Sequence, residues 1–172
     1  MPSKAARIHA TQASTRPTSS TRLHLFLVHH GDAVGPNVDP RRPLSLNGRQ
    51  AVERAAADAA ARAVQPAAVW HSGKLRARQT AEVFWRACNA LAEFSATRDL
   101  QPDDPPAWIR DRLRGEQRDI LLAGHFPHLP RLLALLLTGR DDPPVSFPQH
   151  GVVALETTDD GETWQELWRI EK

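Results

Sequence analysis

The sequence predicts an α/β protein, a single-domain three-layer α/β/α sandwich whose sheet is mainly parallel and closes in a C-terminal hairpin. Three short apolar runs, within Leu23–Val28, Ala67–His71 and Asp119–Gly124, are dense enough to be strands covered on both faces. Each is followed by a segment whose apolar residues recur at helical spacing, the alternation that builds a parallel sheet. Two later segments, Val152–Thr157 and Thr163–Ile170, alternate with period two around Asp160-Gly161, a strong hairpin signal.

Taken in order, residues 1–22 are rich in Ser, Thr, Ala and Arg and have no periodicity. They lack the apolar centre of a secretory signal and are expected to be a disordered basic tail ahead of a domain over residues 23–172. After the first strand, Gly35 to Pro43 is a proline-rich loop. Ser45 is placed to cap a helix in which Val52, Ala55, Ala56, Ala59 and Ala63 share a face, and Pro66 stops it. Ser72 is likewise expected to cap a helix from about Lys74 to Cys88. A short strand near Glu93–Thr97, a loop over Leu100–Pro106 and a helix over Ala107–Leu113 follow. The helix from Pro127 to Thr138 is apolar nearly all round, as a central core helix is, and Gly139 closes it. The tally is three strand–helix units and a hairpin.

At 172 residues the chain suits one domain. Its net charge of +2 hides an asymmetry, because the first 22 residues hold four basic and no acidic side chains. The remainder has 18 basic against 20 acidic residues, so charge gives a nucleic-acid role no support. No apolar run approaches the roughly 20 residues of a membrane span. The single cysteine, Cys88, excludes an internal disulfide and makes a reducing, cytoplasmic location the default expectation.

The chemistry concentrates where the buried strands end. They run into His29-His30-Gly31, His71-Ser72 and Gly124-His125. If the strands are parallel, these imidazoles meet at the carboxyl edge of the sheet, where open α/β folds bind ligands. Arg76, one turn into the next helix, joins them. Imidazoles, a guanidinium and helix amino termini together suit an anion. A neutral imidazole is a competent nucleophile toward phosphorus, and crowding His30 beside Arg76 keeps it neutral. His24, His150 and the tail residue His9 are read as structural imidazoles.

Leu-Val-His-His-Gly-Asp-Ala resembles the Arg-His-Gly signature of the histidine phosphatase superfamily, with its phosphoglycerate-mutase-like fold. Ser72-Gly-Lys-Leu-Arg76 resembles its second block and Gly124-His125 its second catalytic His. Arg42-Pro43-Leu44-Ser45 and Leu100-Gln101-Pro102 are similar to the small SixA-type phosphohistidine phosphatases. The resemblance implies that His30 and His125 are catalytic, with His30 the nucleophile that becomes transiently phosphorylated. It implies that Arg76, His29, Gly31 and His71 bind the phosphoryl group, without metal or organic cofactor. The expected substrate is a phosphohistidine or a similarly labile phosphoryl group. It would be carried by a phosphorylated protein, such as a phosphotransfer domain, or by a small phosphorylated molecule; neither nucleic acid nor membrane is an expected partner.

Two departures from the family pattern bear on the activity. His29 stands where the family has Arg, exchanging a guanidinium fork for at most one neutral donor. Pro102 stands where sugar-phosphate members carry an acidic residue, leaving Asp103 and Asp104 as the candidate general acids. A labile P–N bond needs less help from an acid, which favours a phosphohistidine-type substrate. Two other readings accompany this one. The chain is a phosphate- or phosphoprotein-binding relative whose turnover is weakened or lost, or a metal hydrolase with His29, His30, His71, His125 and Asp32 as ligands.

Overall fold

The computed structural model describes residues 21–171. The tail expected over residues 1–22 lies outside them, except for its last two residues. In chain order the elements are β1 (Leu23–His29), α1 (Leu46–Ala61), β2 (Ala68–His71), α2 (Leu75–Cys88), β3 (Glu93–Ala96), α3 (Pro106–Leu113), β4 (Ile120–Gly124), α4 (His128–Thr138), β5 (Val152–Thr157) and β6 (Gln165–Ile170). One six-stranded sheet has the order β3-β2-β4-β1-β5-β6. The first four strands are mutually parallel; β5 runs antiparallel to β1, and β6 to β5. This is the expected three-layer sandwich, with four strand–helix units instead of three. The fourth unit is β3 and α3, both expected from the sequence but not counted as a unit because β3 is an edge strand too exposed to carry the apolar signature of the buried ones.

Alternation along the strands divides the core in two. Leu25, Leu27, Trp70, Ile120, Leu122, Val153 and Leu155 pack with Ile109 and Leu113 of α3 and Leu129, Leu132, Leu133 and Leu136 of α4. On the other face, Phe26, Val28, Val69, Leu121, Ala123 and Ala154 pack with Val52, Ala56 and Ala59 of α1 and Ala81 and Phe84 of α2. Each fully buried Leu or Phe contributes about 1.5–3 kcal/mol of transfer free energy, and truncating Leu122 to Ala would cost about 2–5 kcal/mol. The leucine-rich α4 is a core helix ended by Gly139 at φ 79°, and no helix among the described residues is long and apolar enough to cross a membrane.

Local chemistry sets the entry to α1. Ser45 Oγ accepts from the Gly48 amide at 3.0 Å and donates to the Asp32 carboxylate at 2.7 Å. A Cβ on Gly48 would run into the Asp32 carbonyl, so the helix start is held tightly against the turn that follows β1. The helix ends at Ala61 with Arg62 as its C-cap, short of Pro66 and of the expected Ala63, because Ala63 takes φ 60°. In the hairpin, Asp160 and Gly161 both have positive φ, as the dipeptide predicts. The second strand starts at Gln165 and not Thr163, since Asp159 captures the Thr163 amide and hydroxyl at 2.9 and 2.6 Å.

Candidate active site

Parallel register brings the β1 and β4 ends together. His29 is aligned with Gly124, and the His30 amide donates to the Gly124 carbonyl at 3.1 Å, so His30 and His125 leave the sheet side by side. Their rings are 5.0 Å apart between centroids. The pleat sends them toward the face covered by α1 and α2, where Arg76 occupies the first turn of α2.

Backbone groups dictate the tautomer of His30. Its Nδ1 lies 2.7 Å from the Gly31 carbonyl, which can only accept, so Nδ1 bears the proton. Nε2 therefore keeps its lone pair, and the Arg76 Nε–H donates to it at 3.4 Å. Burial, and then the charge of Arg76, outweigh the hydrogen bond to Gly31 and bring the His30 pKa down to about 4. Arg76 itself is pushed below its ordinary value by burial and by Arg42. Arg42 is thus a second guanidinium felt by both His30 and Arg76, from a loop that sequence reasoning left without a role. It sits at φ 51° and donates through Nε to the Val34 carbonyl at 3.2 Å.

His29 faces the other way. Its ring is stacked between Phe126, at 3.9 Å and 5° interplanar angle, and His150, at 4.8 Å and 4°. The His150 amide donates to its Nδ1 at 2.8 Å, so the proton of the neutral ring is on Nε2. Burial, followed by the charges of His30 and His150, lowers its pKa to about 2. It is a neutral one-donor group held by stacking.

His150, read from the sequence as structural, belongs to this cluster. Its Nδ1 is 2.6 Å from the His30 carbonyl and so donates, which leaves Nε2 with a free lone pair. The signal that could have found it is positional. β5 is antiparallel to β1 and pairs Val152 with Val28, so the residues just before β5 lie at the same edge as those just after β1.

The remaining expected residues divide. His125 is fully buried, bonded through Nε2 to Ser72 Oγ at 2.6 Å, with no partner for Nδ1 among the described residues. Burial, then His30 and Arg76, lower its pKa to about 3. Ser72 therefore orients the second histidine and is not the cap of α2, whose first turn follows Lys74. Gly31 does not offer its amide to a ligand, since that N–H donates to Thr80 Oγ1 at 3.0 Å, and Thr80 in turn donates to the Arg76 carbonyl at 2.8 Å. A side chain there would meet Val52 Cγ2 at 2.5 Å, so the glycine allows close packing. His71 does not join the cluster. It is aligned with Ala123, two residues short of His125, its ring faces Phe94 at 5.0 Å, and its Nδ1 accepts from the Gly73 amide at 3.0 Å. Asp104 Oδ2 accepts the Gln101 amide at 2.8 Å and closes a turn, and Asp103 is exposed; neither is brought to His30 by any contact.

The cluster is a poor cage for a metal ion, although one nitrogen of each of His29, His30 and His150 lies within 4.8 Å of the others. Of the five residues expected as ligands, His71 is engaged elsewhere and Asp32 is bonded to Ser45. Both nitrogens of His29 are committed, one to an amide and one to its own proton, and the charges of Arg76 and Arg42 oppose a cation. The same charges, with Lys74 acting on His125, favour an anion.

No family model and no curated protein matches the sequence. Solved structures do match, and the fold they define is the phosphoglycerate-mutase-like fold of the histidine phosphatases. The protein histidine phosphatase SixA, complexed with tungstate, superimposes with a TM-score of 0.74 at 24% identity, over 87% of this chain and 97% of that one. A protein named as phosphohistidine phosphatase SixA from Agrobacterium tumefaciens gives 0.70 at 21% identity, over 87% and 98%. Phosphoglycerate mutase from Plasmodium falciparum gives 0.65 at 15% identity, over 86% and 90%. The chain thus has the compact, SixA-type form of this fold.

Proposed function

We propose that the chain is a phosphatase of the histidine phosphatase type, acting on a phosphohistidine or a similarly labile phosphoryl group through a phosphohistidine intermediate on His30. The observation that carries this is the state of His30: Nδ1–H held on the Gly31 carbonyl, Nε2 unprotonated and turned to Arg76. Nε2 attacks phosphorus as the bond to the leaving nitrogen or oxygen breaks. Water then attacks phosphorus, the P–Nε2 bond breaks, and inorganic phosphate departs. Arg76 forks onto the phosphoryl oxygens, His125 flanks them, and His29 gives the single Nε2–H donor that stands in for the family's guanidinium. A structural relative holding tungstate, a tetrahedral oxyanion, supports an anion site of this kind.

Phosphohistidine carried by a protein is favoured over a sugar phosphate because neither Asp103 nor Asp104 contacts His30, and a labile P–N bond needs less help from an acid than an alkoxide does. The test is hydrolysis of a phosphohistidine protein and of 4-nitrophenyl phosphate by wild type, His30→Ala and His29→Arg, with detection of an acid-labile, alkali-stable phosphoenzyme. Turnover and phosphoenzyme are expected in the wild type and absent from His30→Ala. Turnover that survives His30→Ala overturns the mechanism, and hydrolysis of sugar phosphates alone overturns the substrate class. The neutral state of His29 supports one other reading, a phosphate-binding relative, which activity appearing only in His29→Arg would establish.

A further inference from the structure

His150 is the one imidazole of the cluster whose chemistry is unassigned. His30 spends its lone pair on phosphorus, His125 is tied through Nε2 to Ser72, and His29 has its free nitrogen capped by a proton. His150 is held by three backbone features: Nδ1–H on the His30 carbonyl, its own amide on His29 Nδ1, and a left-handed conformation at φ 54° just ahead of β5. These leave Nε2 free, on a half-exposed ring stacked on His29 and 6.0 Å from the His30 ring. The 6.0 Å between the His30 and His150 ring centroids leaves room for a phosphoryl group with its leaving atom between a nucleophile and a proton donor.

Resting on the phosphatase reading above, we propose that His150 is a catalytic residue, the proton carrier that protonates the leaving group and then deprotonates the hydrolytic water. With substrate bound, Nε2 of His150 carries a proton. It passes to the departing nitrogen or oxygen as the His30 Nε2–P bond forms and the substrate's P–N or P–O bond breaks. The neutral ring then takes a proton from the water whose oxygen attacks phosphorus while the P–Nε2 bond breaks, and it is restored. His150 thereby fills the role for which Asp103 and Asp104 are badly placed. It also lines a cleft of about 540 Å³ shared with Asp32, Arg54, Asp58 and Glu171. The titratable and charged groups facing it are therefore His29 and His30 from β1, Asp32 from the following turn, Arg54 and Asp58 from α1, and Glu171 after β6.

His150→Asn is the informative variant. Asn tolerates positive φ, and its side-chain amide can keep the donation to the His30 carbonyl while removing Nε2. We would compare kcat/KM for 4-nitrophenyl phosphate and phenyl phosphate, whose leaving groups differ in basicity, in wild type, His150→Asn and His30→Ala. Loss of a general acid is expected to cost about a hundredfold or more on phenyl phosphate, and at most about tenfold on 4-nitrophenyl phosphate, which leaves unaided. A burst of nitrophenolate followed by slowed turnover is expected as well, because the water step loses its base. Equal losses on both substrates without a burst overturn the role of His150 and leave the phosphatase reading intact, provided His30→Ala is dead. A wild type inactive on both substrates, with no phosphoenzyme, overturns that reading and this assignment with it.

Discussion

β1 and β2 run parallel to β4 on either side of it, and both end in imidazoles, yet the two ends do different work. At the β1 end, His29 is level with Gly124, so His30 and His125 emerge together above the sheet with Arg76 over them. At the β2 end, His71 is level with Ala123, two residues short of His125. Its ring is spent on Phe94 and on the turn amide of Gly73, and the charge it senses is Arg78, not Arg76. Each is a histidine at the carboxyl end of a buried strand, His71 as its last residue and His30 one residue beyond. Register and local partners separate the imidazole that faces Arg76 from the one that packs on Phe94.

The sharpest way to break this comparison is to truncate each end. Arg76→Ala should lower kcat/KM on 4-nitrophenyl phosphate by about 10²–10³, the usual loss for one oxyanion-binding donor. His71→Ala should lower it by less than about threefold, or ~0.7 kcal/mol of barrier. Equal losses in steady-state assays would put the two strand ends on the same footing.

Stability should separate them too. Gly31→Ala drives a methyl against Val52 and Leu44, and overpacking of this kind costs about 1–3 kcal/mol, read as a lowered urea midpoint. His29→Arg removes the acceptor of the His150 amide and should cost about 1–3 kcal/mol in the same experiment, whatever it does to turnover. An unchanged midpoint would mean that the amide finds another partner.

The smallest expected effect is on pH dependence. Burial lowers His29, His30, His125 and His128 to values between about 2 and 4, whereas an unfolded imidazole titrates near 6.5. Between those limits the unfolded chain binds more protons than the folded one. The stability these groups contribute is complete above about pH 6.5 and is lost as the pH falls toward 4. Melting temperatures should drop from pH 7 to pH 4.5. Phosphoenzyme formation should titrate on its acid limb near 4, the His30 value, and not near 6.5. A limb at 6.5 would mean a solvated His30.

Much of the fold was legible because buried strands and capped helices write themselves locally. Leu23–Val28 and Asp119–Gly124 are apolar whatever they pack against, Ser45 caps α1 through its own third neighbour, and Asp160-Gly161 turns a chain anywhere. For the same reason His30, Arg76 and His125 could be proposed together: each stands immediately after a strand or in the first turn of a helix. What local chemistry could not convey was which groups were already engaged. Gly31 gives its amide to Thr80, Ser72 leaves its helix for His125, and Asp104 closes its own turn. His150 sits 120 residues from the carbonyl it bonds. Period and composition were enough for the order of elements, the two-faced core and the place of His30 just past a strand end. Only the tertiary structure decided strand register, the backbone partners that set each imidazole's tautomer, and the entry of His150 and Arg42 into the site. Those depend on distances between segments that no local pattern encodes.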